Sequence, residues 1–371
     1  MNATRTIALS ILLTTCRCAA ARAAAADDRP KASSSEPLVD EYHGLAIQID
    51  TSIKPVEMFG PLIREVAAQG ADTVLIGADA YQKNASKGEI YFDPKKTPTP
   101  RQWKRLLAIA RKQCGLQVIL APKILLSEPI GTEWRGVIQP PSWRKWFVQY
   151  RNIINHFADI AQLNGVEVLM IGSELVSAEK HTEEWLEVVR QARARFKGKL
   201  SYSANWDHYQ PVKFWDRLDL IGMTTYYKLS DEPGPTVEHL VEAWEPIKKN
   251  ILDWQKTIGK PILFTEAGWC SQEGAAIEPW NYYHKQEATP KGHEEQRACY
   301  EAFIRVWDGV PQVGGVIWWE WTTYGGGPNC YNYTPKGKPA GKLLREWFAK
   351  KNRKRPGDAR RACKPQASDP P

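Results

Sequence analysis

Two short segments, "LMIGSELV" at residues 169–176 and "ILFTEAGW" at 262–269, share one form: an apolar run that ends on a glutamate, Glu174 and Glu266. A carboxylate at the end of a buried strand is costly unless it reaches water or a partner. Brought to one place, two such groups can divide acid and nucleophilic work between them. One stays protonated to assist a leaving oxygen, and the other stays ionised to attack a carbon or activate water. That is the minimum machinery for breaking a glycosidic bond. A spacing of ~5–5.5 Å gives retention at the anomeric carbon, and ~6.5–9.5 Å gives inversion. Each glutamate also has a plainer reading. Glu174 could sit at a helix start favoured by the helix dipole, and Glu266 could pair with a lysine or arginine.

The elements that must position them recur along the chain. Apolar or alternating runs lie at 44–49, 73–77, 117–121, 166–171, 199–203, 219–224, 261–265 and 314–319. Most are separated by segments of helical period such as "RQWKRLLAIARKQCG" and "EEWLEVVRQARARFKG". Strand and amphipathic helix in alternation predict a parallel sheet covered by helices, and eight strands fill a closed (β/α)8 TIM barrel of α/β class in one domain. The fourth and seventh strands would then present Glu174 and Glu266 at one mouth. Aromatic residues cluster at the same predicted ends: Trp206 after the fifth strand, Tyr226 and Tyr227 after the sixth, Trp269 and Trp280 after the seventh, Trp318, Trp319 and Trp321 at the eighth. Aromatic faces suit the C–H faces of pyranose rings, although a buried aromatic serves equally as core. Strand alternation places Trp319 and Trp321 together in the mouth, with Trp318 on the other side.

Composition is that of a globular chain of 371 residues, with 43% hydrophobic and 25% charged residues. The net charge of +8 is concentrated at the two ends, which leaves the body nearly neutral and gives no support for a nucleic-acid partner. Residues 1–26 have the charge, apolar run and small residues of a secretory signal, with Cys16 in a poor context for lipid attachment. Residues 27–40 are expected to be a linker, 41–349 the barrel and 350–371 a basic flexible tail. No other stretch is long enough for a membrane span, so a secreted or periplasmic monomer is expected. Cleavage leaves five cysteines, Cys114, Cys270, Cys299, Cys330 and Cys363. An odd number cannot pair fully within one chain. Cys270 and Cys330 lie on neighbouring predicted loops and could bridge, or all could be separate buried thiols. The histidines show no metal-binding spacing, and no cofactor is expected.

Taken in order, the segments "GADTVLIGADAYQ" (70–82), "WRGVIQPPSWRKWFVQYRNIINHFADIA" (134–161), "VLMIGSEL" (168–175), "LDLIGMTTYY" (218–227), "PILFTEAGW" (261–269), "GGVIWWEW" (314–321) and "YTPKGKPA" (333–340) resemble glycoside hydrolase family 113. Its characterised members are retaining β-mannanases on a (β/α)8 barrel. The resemblance implies Glu174 as acid/base, Glu266 as nucleophile and Tyr226 as the nucleophile's hydrogen-bonding partner. It also implies Trp319 or Trp321 as the platform under the reacting sugar, and Asn205 with Trp206 as a polar-aromatic site pair. One tripeptide departs from the family pattern: where the family has Lys-Pro-His, this chain has Ala121-Pro122-Lys123, with Lys in place of the His and no Lys two residues earlier. Lys123 is therefore a candidate substrate contact of a different kind. The expected substrate is a β-1,4-linked polysaccharide or oligosaccharide, mannan or glucomannan first. A different β-glycan, or a barrel that binds carbohydrate without turnover, remains the alternative.

Overall fold

A computed structural model describes residues 42–353. The expected signal, the linker and nearly all of the expected tail lie outside the described residues.

The elements in chain order are β1 (Tyr42–Ile49), α1 (Pro55–Ala68), β2 (Thr73–Gln82), β3 (Ile90–Tyr91), α2 (Pro100–Ala108), β4 (Gln117–Leu126), α3 (Trp143–Asn164), β5 (Val168–Ser173), α4 (Thr182–Arg195), β6 (Lys199–Ala204), β7 (Leu220–Thr224), α5 (Val237–Ile258), β8 (Ile262–Ala267), α6 (Pro290–Trp307), β9 (Val313–Trp318) and α7 (Pro339–Arg353). Eight strands run parallel, and β1 pairs with both β2 and β9, which closes the barrel. The short β3 is an antiparallel appendage on β2. The fold is a TIM barrel, with one departure from the simple strand–helix repeat and one from the expected domain boundary. A 3-10 turn at Trp215–Arg217 replaces the helix between β6 and β7. At the other end, α7 runs to Arg353, beyond the expected boundary at 349.

Local chemistry sets where the helices begin. Thr99 caps α2 in a reciprocal box with Gln102, Ser142 caps α3, Thr236 caps α5 and Thr289 caps α6. Proline follows the cap in α2 and α6, where its missing N–H costs nothing. Helices α3 and α5 end on Gly165 and Gly259 in the left-handed conformation that glycine adopts without strain.

Two apolar layers result. The larger lies between strands and helices and takes in most of the aromatic residues. A smaller layer fills the barrel interior, with Ala46, Leu75, Ile119, Met170, Leu263 and Ile317 among its members. Side chains two residues farther along the same inward phase reach the C-terminal mouth.

Candidate active site

Both glutamates stand where the strand ladder slips. The register between β5 and β6 shifts between Met170 and Ser173, and Glu174 follows with φ of 52°, a left-handed conformation unusual for a residue with a side chain. On β8 the register shifts against both neighbours around Glu266. Such irregularities re-aim side chains that regular alternation would send elsewhere. Thr224 ties the two together: it is the register partner of Glu266, and its Oγ1 donates to Glu174 Oε1 at 3.3 Å.

Each carboxylate has a specific partner. Tyr226 donates its hydroxyl to Glu266 Oε2 at 2.7 Å. Arg135, on a 3-10 turn in the β4–α3 loop, places Nη2 2.5 Å from Glu174 Oε2. Burial raises the pKa of Glu266, and the charge of Glu174 raises it further, while Lys123, Arg135 and the Tyr226 hydroxyl act against both. Two acidic groups in one buried mouth cannot both ionise without cost, so their protonation states are linked.

Beside the pair lies a second polar group. The Lys123 ammonium is buried, donates to Gln48 Oε1 at 2.8 Å and stands 4.8 Å over the Trp319 ring. Gln48 in turn donates to Glu320 Oε2 at 2.9 Å. Gly77 faces the lysine, and a Cβ there would lie 3.4 Å from the Lys123 Nζ, at ordinary contact distance. Asp79 is also buried here, and its Oδ1 has no hydrogen-bond partner. Burial raises the Asp79 pKa against the opposing charges of Lys123 and Arg135. A buried acceptor without a partner beside an open mouth suits a ligand hydroxyl.

The sequence reading missed Gln48, Asp79, Arg135, Thr224 and Glu320. For Gln48 and Asp79 a signal existed. Each follows the inward-facing residues of its strand in phase, Ala46 on β1 and Leu75 on β2. Arg135 lies in a loop, where no period applies.

The aromatic candidates divide. Trp206 and Trp319 pack around the small cluster of Tyr226, Cys270 and Tyr333 at the mouth. Tyr227 supports Trp206 by donating its hydroxyl to the Trp206 carbonyl at 2.6 Å. Asn205 is adjacent, with its amide donating to Asp207 Oδ1 at 2.6 Å. Trp269 and Trp321 are elsewhere, contrary to expectation. Trp269 is fully buried against Tyr300 and Phe303 of α6, because Ala267 and Trp269 face the helix layer. Trp321 belongs to the same outer layer and donates its indole N–H to Glu65 of α1 at 3.0 Å. The alternation that pairs it with Trp319 does not hold, because β9 ends at Trp318. Gly268 explains how the chain passes there: a Cβ would meet the Trp319 carbonyl oxygen at 2.2 Å. The bridge considered between Cys270 and Cys330 is absent. Those two and Cys299 are buried free thiols, and Cys114 is disulfide-bonded.

The sequence profile of Glycoside Hydrolase Family 113 matches residues 61–328. The chain belongs to that family. It is therefore a glycoside hydrolase, and solved structures of family 113 share its architecture. A family 113 β-mannanase from Alicyclobacillus acidocaldarius, solved in complex with ManMIm, is 24% identical, with a TM-score of 0.75 over 84% of this chain and 98% of that one. A family 113 β-1,4-mannanase solved as a complex is 26% identical, with a TM-score of 0.73 over 83% of this chain and 99% of that one. Another β-1,4-mannanase of the family is 25% identical, with a TM-score of 0.75 over 84% and 99%. No curated protein sequence matches the chain.

Proposed function

We propose that this family 113 chain is a secreted, retaining, endo-acting hydrolase of β-1,4-linked polysaccharide, with mannan or glucomannan as substrate. The observation that carries the reading is the pairing of Glu266 with Tyr226 at 2.7 Å, in a mouth that also holds Glu174 under Thr224. Glu266 Oε1 or Oε2 attacks the anomeric carbon while Glu174 gives its proton to the departing glycosidic oxygen. A glycosyl ester on Glu266 results. Water then attacks the same carbon, passing a proton to Glu174, and the ester bond breaks to restore the Glu266 carboxylate.

Arg135 gives this cycle an electrostatic counterweight, since it interacts with both carboxylates. Before ester formation both carboxylates face Arg135. Once Glu266 is esterified its charge is gone, and Arg135 faces only the Glu174 carboxylate, the group that acts as base. Trp319, Trp206 and Asn205 form the sugar-facing wall. Lys123 with Gln48, and the free oxygen of Asp79, are placed to hold sugar hydroxyls. No cofactor takes part in this scheme.

Two observations support placing the mature protein outside the cytoplasm. One is the signal-like 1–26 segment, and the other is the disulfide at Cys114, a bond that persists in oxidising compartments. No helix among the described residues is long and apolar enough to cross a membrane.

The test is a panel of mannan, glucomannan, xylan, cellulose and mixed-linkage glucan, with released oligosaccharides separated by size. Manno-oligosaccharides are expected. Products from another glycan alone would transfer the reading to that substrate and point to Lys123 as the altered contact. No release from any polymer would favour a binding protein.

Tyr226→Phe tests the nucleophile's setting. The Tyr226 bond is among the influences that lower the Glu266 pKa, so its loss raises that pKa further. Glu266 must be ionised to attack, and the acid limb of the kcat/KM profile is therefore expected to move to higher pH. A bond of roughly 1.4 kcal/mol corresponds to about one pH unit. An acid limb that stays in place would mean that Tyr226 only packs.

A further inference from the structure

The connection from β8 to α6, residues 268–289, carries Glu266's strand directly into a long loop with no regular secondary structure. Loops of that length in a compact domain are commonly functional. Its tip exposes three aromatic side chains in a row of four residues: Trp280 at 52%, Tyr282 at 46% and Tyr283 at 64%. Tyr282 and Tyr283 pack with ring centroids 3.9 Å apart and join through their hydroxyls.

This tip is fastened to the catalytic mouth rather than hanging from it. Tyr333 lies 6.1 Å from the Tyr226 ring and 6.4 Å from the Tyr282 ring, and its hydroxyl donates to the Pro279 carbonyl at 2.6 Å, next to Trp280. Tyr226 is the residue that bonds Glu266. A continuous file of rings thus runs from the nucleophile outward to solvent. The loop is also stiffened from within. Buried Glu295 of α6 accepts the N–H groups of Gly274 and Ala276, and Gln272 accepts those of Lys285 and Gln286. Exposed rings held in place by buried polar anchors lose little freedom on binding.

We infer that Trp280 and Tyr283 form a distal sugar subsite that binds a β-linked hexopyranose unit remote from the cleaved bond. The inference rests on the hydrolase reading above and adds where a long substrate is gripped. The occupant is the substrate chain itself, because the ring file is continuous with the mouth. Its rings offer apolar faces with hydroxyl edges, the surface that stacks on pyranose C–H groups.

The experiment uses the full protein and the glycan that the wild type cleaves in the panel. kcat/KM is measured for its oligosaccharides from disaccharide to hexasaccharide, and for a short aryl glycoside, in wild type, Trp280→Ala, Tyr283→Ala and the double variant. The double variant is expected to lose about tenfold on the hexasaccharide, in line with the worth of stacked aromatic contacts. Turnover of the aryl glycoside and the melting temperature are expected to stay at wild-type values. Trp280→Phe is expected to recover most of the loss. Variants that keep the full wild-type gain with chain length would overturn the subsite and leave the hydrolase reading standing. A wild type that cleaves none of the glycans would overturn both. An equal loss on short and long substrates would also overturn the subsite, since it would mark a general disturbance of the mouth.

Discussion

Glu266→Ala is expected to lower kcat on the cleaved polysaccharide by about five orders of magnitude, because loss of a covalent nucleophile removes the route and not merely one contact along it. The expectation is motivated by the Tyr226 bond and by the register slip that turns Glu266 into the mouth. Residual activity is read as reducing ends released over days, with and without added azide. Azide occupying the vacated space attacks from the nucleophile's side, so the glycosyl azide formed has inverted configuration. Turnover within tenfold of wild type would remove Glu266 from the mechanism.

Glu174→Ala is expected to cost about 10²- to 10⁴-fold on polymer, the usual worth of a positioned acid/base. The effect depends on the leaving group. An aryl glycoside whose phenol departs without protonation retains its first step, and azide then restores turnover by attacking the ester, giving a glycosyl azide of retained configuration. The two variants together fix the roles by stereochemistry. A retained azide from Glu266→Ala would reverse them.

The barrel was legible because eight apolar runs, separated by helical periods, leave few other ways to bury both faces of every strand. The placement of Glu174 and Glu266 at one mouth was legible for a related reason, since each ends an apolar run and a buried carboxylate needs water or a partner. Period alone gave out where the backbone departs from period. Alternation paired Trp321 with Trp319, but β9 ends at Trp318 and Trp321 turns to α1. Trp269 looked like a mouth residue from its place after Glu266, yet it packs into the helix layer. Arg135 belongs to a loop whose course depends on tertiary packing, so its meeting with Glu174 has no local signature. The missing helix before β7 reflects the short sequence there, with Pro211 and aromatic residues that anchor a 3-10 turn.

The closure of the sheet divides the labour of the chain. Because β1 is paired on both sides, the barrel offers no free strand edge, and its backbone groups are already committed to the ladder. A glycan therefore has to be read by side chains at strand ends and by the loops beyond them. Single positions at the strand ends, or the loops beyond them, can therefore change while the ring that carries the two glutamates stays as it is.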